Sequence, residues 1–188
     1  MGGFIYDLAF DTDGTLFVLH TAGNTILDNL NGGNPSSTWA MAYFLGGADL
    51  MTGSKANDDL RGLAGSDTLL GGGGKDRLAG GAGADHLAGD AGADHFVLNA
   101  PGEGADTITD FTHGQDQIDL VAAAFSLTGG LVAGGNFNTD GTMSSTAPTL
   151  LCVAATGILS CDPDGTGGMA AVVLANHATL GVSDFLLV

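Results

Sequence analysis

Positive charge is scarce in this chain. Against 21 acidic residues stand four basic ones, Lys55, Arg61, Lys75 and Arg77, giving a formal net charge of −17. A nucleic-acid binder needs Lys and Arg to neutralise phosphates. A protein held on anionic lipid needs a polybasic patch. Neither class fits. Long apolar runs are missing too: none approaches the ~18 residues of a transmembrane helix, so no membrane span is expected. Met1-Gly2-Gly3 lacks the basic start of a cleaved signal peptide. The 33 glycines follow no G-X-Y period, which excludes collagen.

Catalytic motifs are also missing. There is no H-E-x-x-H for a zinc protease and no G-x-S-x-G nucleophile elbow. Glu103 is the sole glutamate, without a second carboxylate of contrasting environment to form an acid/base pair. His20, His113 and His177 have no partner at ligand spacing. No enzyme is expected in this chain. Cysteine is rare: Cys152 and Cys161 flank Thr156-Gly157. A two-residue hairpin loop there would set the thiols opposite each other. A three-residue loop would offset them by one position and leave them unpaired.

What the chain has instead is a period. Residues 53–97 divide every nine into GSKANDDLR, GLAGSDTLL, GGGGKDRLA, GGAGADHLA and GDAGADHFV. Aspartate recurs at Asp58, Asp67, Asp76, Asp85 and Asp94, and an apolar residue follows two places later at Leu60, Leu69, Leu78, Leu87 and Phe96. A looser copy precedes them at Asp49 and Met51. Irregular copies follow at Asp106 and Asp116. A fixed short period signals a stacked repeat architecture. Gly runs let the backbone turn tightly with φ > 0, and the Asp-x-apolar triplet supplies a short strand with one buried side chain. Two units then close one coil, and units eighteen residues apart stack. Asp58, Asp76 and Asp94 line one edge; Asp67 and Asp85 line the other.

Carboxylates stacked at strand spacing repel by ~1–4 kcal/mol per pair, depending on the effective dielectric. Four basic residues are too few to neutralise them. Carboxylate and carbonyl oxygens in a flexible shell of about 6–8 suit Ca²⁺ better than Mg²⁺. The competing reading is a plain Gly/Asp-rich loop region.

The units closely resemble the RTX nonapeptide G-G-x-G-x-D-x-U-x, the calcium-binding parallel β-roll. Residues 71–79 and 80–88 match at every defined position. Ser54 and Ala56 replace glycines in 53–61, and Leu63 replaces one in 62–70, so these two turns are expected to bind weakest. Further on, Asp106-Thr107-Ile108-Thr109-Asp110-Phe111, Gly114-Gln115-Asp116, Ile118-Asp119-Leu120, Asp162-Pro163-Asp164-Gly165-Thr166-Gly167 and Ser183-Asp184-Phe185 resemble the C-terminal domains of serralysin-type secreted proteases. The likeness covers about residues 46–188. It implies an all-β fold: a parallel β-roll capped on its C-terminal side by antiparallel strands from about residue 130. It also implies export by the type I secretion machinery on an uncleaved C-terminal signal, to which the ending 183–188 is similar, and hence a secreted, extracellular or cell-surface location. The expected ligands of several calcium ions are the carboxylates of Asp49, Asp58, Asp67, Asp76, Asp85, Asp94 and Asp106 and the carbonyls of Gly72, Gly74, Gly81, Gly83 and Gly92.

Around this roll the chain divides into 1–37, 38–120 and 121–188. Strands are expected at 4–10 and 15–20, joined by an Asx turn at Asp11-Thr12-Asp13-Gly14, with calcium ligation by Asp11 and Asp13 as the alternative, and a third at 25–28. The run 9–18 resembles one blade of an NHL-type propeller, which alone cannot close a propeller: it is either a fragment end or a hairpin. Residues 31–37 read as a linker, and the apolar run 38–45 as a strand covering the roll's N-terminal end. Further strands are expected at 96–100, 149–153, 158–161 and 169–174, with a helical turn at 122–125. His86 and His95 should sit on opposite sheets as surface residues. Three functions follow: a calcium-dependent folding module of a secreted protein, a self-assembling filament or surface-layer protein, which the mean hydropathy of +0.27 would favour, or the C-terminal piece of a larger secreted enzyme.

Overall fold

A nine-residue unit is half a coil, so alternate units must fall on opposite walls. The computed structural model shows this for the residues it describes: 47–127, 130–131, 133, 136–139, 148–153, 155–162 and 169–188, together with the strands at 5–10, 16–20, 26–27 and 41–43. The strands before the repeats are β1 (Ile5–Phe10), β2 (Leu16–His20), β3 (Ile26–Leu27), β4 (Met41–Tyr43) and β5 (Leu50–Thr52). The repeats give β6 (Asp59–Ala64), β7 (Thr68–Leu70), β8 (Gly73–Gly74), β9 (Arg77–Ala82), β10 (His86–Ala88), β11 (Ala91–Gly92) and β12 (His95–Leu98). After them come β13 (Asp106–Ile108), β14 (Gln117–Leu120), β15 (Phe137–Asn138), β16 (Thr149–Val153), β17 (Ile158–Asp162), β18 (Met169–Leu174) and β19 (Phe185–Leu187).

One wall runs β15-β16-β17-β18-β13-β10-β7-β5-β3 and the other β19-β14-β12-β9-β6-β4. Within each wall the register steps by eighteen: Leu69 faces Leu87, and Leu60 faces Leu78, which faces Phe96. The turns stack as well, with β8 on β11. The single apolar residue of each unit points inward. Met51, Leu69, Leu87 and Ile108 come from one wall and Leu60, Leu78, Phe96 and Ile118 from the other, all at most 2% exposed. Each such burial contributes ~1.5–3 kcal/mol, so the two facing columns hold the coil closed.

Beyond the repeats the core widens. Phe111, Phe125, Phe137, Leu150, Leu159, Val172 and Phe185 join it, with Phe137 edge-on to Phe185 at 5.2 Å between ring centroids. The antiparallel strands expected here are β16, β17 and β18. They form the C-terminal side of the roll and are continuous with one of its walls. β18 pairs in parallel with β13 and β19 in parallel with β14, so the last strands prolong both walls. At the other end β4, inside the 38–45 run, pairs with β6. β3 pairs with β5 instead of the β1–β2 hairpin.

The 149–161 hairpin has neither loop length weighed from the sequence. Val153 pairs with Ile158, so the loop is 154–157, and Cys152 faces Leu159 while Leu150 faces Cys161. Thr156 and Gly157 N–H both donate to the Val153 carbonyl, at 3.0 and 2.9 Å, and close this longer turn. The cysteines are therefore out of register and form no disulfide. Cys161 is a buried free thiol, pushed up to about 11 by burial. The turn at Asp11 and Asp13, the 31–37 linker and the 163–167 motif lie outside the described residues.

Candidate metal centre

Each repeat aspartate closes its Gly-rich turn just before the strand begins. The preceding turn of the same wall then offers a backbone N–H to it. Asp58 N–H donates to Oδ1 of Asp76 at 2.9 Å and Asp76 N–H to Oδ1 of Asp94 at 2.9 Å. On the other edge Asp49 N–H donates to Asp67, and Asp67 N–H to Asp85, both at 2.8 Å. The irregular copies continue the columns: Asp85 N–H reaches Oδ1 of Asp106 at 3.1 Å and Asp94 N–H reaches Oδ1 of Asp116 at 3.0 Å. The structure thus gathers the expected aspartates into two columns, Asp49-Asp67-Asp85-Asp106 and Asp58-Asp76-Asp94-Asp116. From Asp58 onward every member is at most 5% exposed.

One oxygen per carboxylate is satisfied this way. The other is not: Oδ2 of Asp67, Asp76 and Asp85 is buried with no hydrogen-bond partner. An unpaired buried charge is costly, and the titration behaviour follows. Desolvation pushes Asp67 up to about 6 and Asp76 and Asp106 up to about 7, and it raises Asp58, Asp85 and Asp94 too. The neighbouring rungs add to the shift, Asp85 and Asp49 on Asp67, Asp58 and Asp94 on Asp76. The chain's arginines do not relieve these oxygens. Arg61 grips Asp59 with two nitrogens, at 2.9 and 2.8 Å, and Arg77 stands 3.9 Å from the same carboxylate.

The space around the orphaned oxygens is shaped by glycine. A Cβ on Gly62 would collide with Oδ2 of Asp67 and lie 2.6 Å from the Gly80 carbonyl oxygen. On Gly71 it would lie 2.5 Å from Oδ2 of Asp76 and 2.8 Å from the Gly89 carbonyl. Carboxylate and carbonyl oxygens therefore meet in a cradle that only a missing side chain leaves open. No three His, Cys, Asp or Glu side chains converge on one point among the described residues. A centre here must combine single carboxylates with backbone carbonyls, an all-oxygen set that fits calcium. Asp67 with the Gly80 carbonyl and Asp76 with the Gly89 carbonyl would hold it.

Two of the expected carbonyls meet protein donors. Gly72 accepts the Ala91 N–H at 3.0 Å, and Gly92 accepts the Gln115 side-chain amide, so both are engaged by protein donors. Gly74 and Gly83, with φ of +120° and +145°, are packed backbone to backbone on Ala56 and Gly65, and Gly81 at +95° on Leu63. The first glycine of each unit is not among the ligands expected from the sequence, and Asp116 enters there only as the aspartate of an irregular copy. Their signal is the eighteen-residue step, which brings the first carbonyl of one turn over the aspartate of the turn below. His86 and His95 sit on β10 and β12, in opposite walls. His95 Nδ1 pairs with Asp119 at 2.8 Å.

The family described as RTX calcium-binding nonapeptide repeat (4 copies) matches residues 45–78 and 70–100. No curated protein matches the chain. Among 24 matching chains of solved structures is the AlgE6R3 subunit of the Azotobacter vinelandii mannuronan C5-epimerase. It is 26% identical, with a TM-score of 0.49 over 74% of this chain and 77% of that one. Matched repeats, two-walled coil and aspartate columns agree: residues 45–100 of this chain carry RTX-type calcium-binding nonapeptide repeats, stacked as a β-roll.

Proposed function

We propose that this chain is a calcium-dependent folding module of a protein exported by type I secretion. The observation that carries the reading is the row of buried, unpartnered Oδ2 atoms on Asp67, Asp76 and Asp85. With no cation beside them, these carboxylates disfavour the folded coil, and the Gly-rich turns retain their large conformational entropy. The chain is then extended and suited to passage through a narrow exporter. Bound calcium supplies the positive charge that the four basic residues do not. Asp67, Asp76 and Asp85 present their free oxygens only when the turns are stacked, so binding favours the fold alone, by roughly 4 kcal/mol per site at a thousandfold excess over Kd. Modular sites of this kind work at ~10⁻⁴–10⁻³ M calcium, a level met outside cells. This supports an extracellular or cell-surface place of folding.

Circular dichroism of the full chain, titrated with calcium after chelator treatment, tests the reading. A cooperative gain of β signal in the millimolar range is expected, reversed by chelator. A metal-stripped chain as ordered and heat-resistant as the calcium-loaded one overturns it.

A further inference from the structure

The aspartate loops differ at their second residue. In 62–67, 71–76, 80–85 and 89–94 that residue is left-handed: Leu63 at φ 74°, Gly72 and Gly81 at +95°, Asp90 at 61°. In 53–58 it is Ser54, which is not among the left-handed residues. The Ser54 N–H instead donates to Oδ2 of Asp58 at 2.6 Å. The same closure recurs at 111–116, where Thr112 N–H donates to Oδ2 of Asp116 at 2.7 Å. Since Asp94 N–H already occupies Oδ1 of Asp116, that carboxylate has a donor on each oxygen. Asp67, Asp76 and Asp85 each follow a left-handed second residue, and each keeps a bare Oδ2 while at most 1% exposed.

Two features make this difference chemical. An amide hydrogen on Oδ2 sets a positive partial charge where a cation would come, and it already satisfies the buried oxygen. In the open loops the bare oxygen meets no such donor. Secondly, the open conformation is held against a local cost. Left-handed backbone costs Leu63 ~1–2 kcal/mol, and its side chain, 37% exposed, gains little packing there. Strain of this sort persists where the surrounding structure over-determines it, typically at binding sites.

Building on the calcium reading above, we infer that five of these loops are of two kinds; 89–94 has neither an orphaned Oδ2 nor a cap from its second residue, whose N–H donates to Asp110. The open loops 62–67, 71–76 and 80–85 take calcium on Oδ2 of Asp67, Asp76 and Asp85. The self-capped loops 53–58 and 111–116 take none, and close the first and last described rungs of their column with backbone donors. Leu63 in place of glycine thus leaves its turn a binding turn, whereas Ser54 marks one that is not.

Counting calcium on the folded full chain by native mass spectrometry and equilibrium dialysis tests the division. Asp67→Asn, Asp76→Asn and Asp85→Asn keep an acceptor for the backbone N–H and turn an amide nitrogen toward the ion. Each is expected to lose one calcium per chain. Asp58→Asn and Asp116→Asn are expected to bind as many ions as the parent. For a variant that folds only at higher calcium, the slope of folding free energy against log calcium concentration gives the same count. A parent chain that binds no calcium overturns the proposed function. A parent that binds calcium while Asp58→Asn or Asp116→Asn loses an ion, or while the three open-loop variants lose none, overturns this inference alone.

Discussion

Replacing Gly83 with alanine sets a methyl group against the turn stacked on it. A Cβ there would collide with the Gly65 carbonyl oxygen and lie 2.6 Å from its carbon, in backbone at φ +145°. That conformation costs a non-glycine residue ~1–3 kcal/mol. The obstacle is main chain, which cannot rotate aside, so pushing the turns apart adds an overpacking cost of ~1–3 kcal/mol. Gly114 is the control. It is also left-handed, at φ +76°, but nothing lies within 4 Å of its Cβ, so alanine meets only the backbone cost of ~1–2 kcal/mol, partly offset by a stiffer unfolded chain. For a chain of this length 1 kcal/mol moves Tm by roughly 2–4 °C. Thermal melts by circular dichroism in saturating calcium should therefore show Gly83→Ala lower by on the order of 10 °C and Gly114→Ala lower by about 2–4 °C. Equal shifts would refute the idea that turn-on-turn contact, and not backbone handedness alone, demands the glycine.

Leu63→Gly should raise Tm. Relief of ~1–2 kcal/mol of left-handed strain exceeds the ~0.5–1 kcal/mol of added chain entropy, and a lower Tm would show that the exposed leucine packs more than its position implies. Acid should act in opposite directions with and without metal. Burial holds Asp67 near 6 and Asp76 and Asp106 near 7, above the usual 3.8, so the metal-free fold binds more protons than the unfolded chain and loses stability as pH rises through about 4–7. In chelator, β signal should increase from about pH 7.5 to about pH 5. In calcium the titration midpoint should move to higher calcium over the same range, because protons compete for the ligands. A pH-independent signal in chelator would contradict the burial argument.

The period of nine made the coil legible. An aspartate and an apolar residue at fixed spacing dictate which side chain lines the edge and which enters the core, and Leu60, Leu69, Leu78 and Leu87 are fully buried or nearly so. What periodicity cannot carry is anything decided between turns. The carbonyls of Gly80 and Gly89 come beside Asp67 and Asp76 through stacking, which no single unit shows. Nor does residue identity tell whether a second residue turns left-handed: Leu63 and Ser54 look like equal departures in sequence and differ in space. The strand expected at 25–28 came without a partner, and its partner β5 lies beyond another strand. At 149–161 the register depended on one loop, and its real length of four residues displaced the cysteines.

Alternation of units between the two walls gives the array a parity. Removing one nonapeptide would send every later strand to the opposite side, so β13 would arrive where β14 belongs and β18 and β19 would find each other's docking edges. Removing two would shorten the molecule by one rung and leave every later partnership unchanged. Insertions and deletions in this part of the chain should therefore be tolerated in pairs of units and rejected singly.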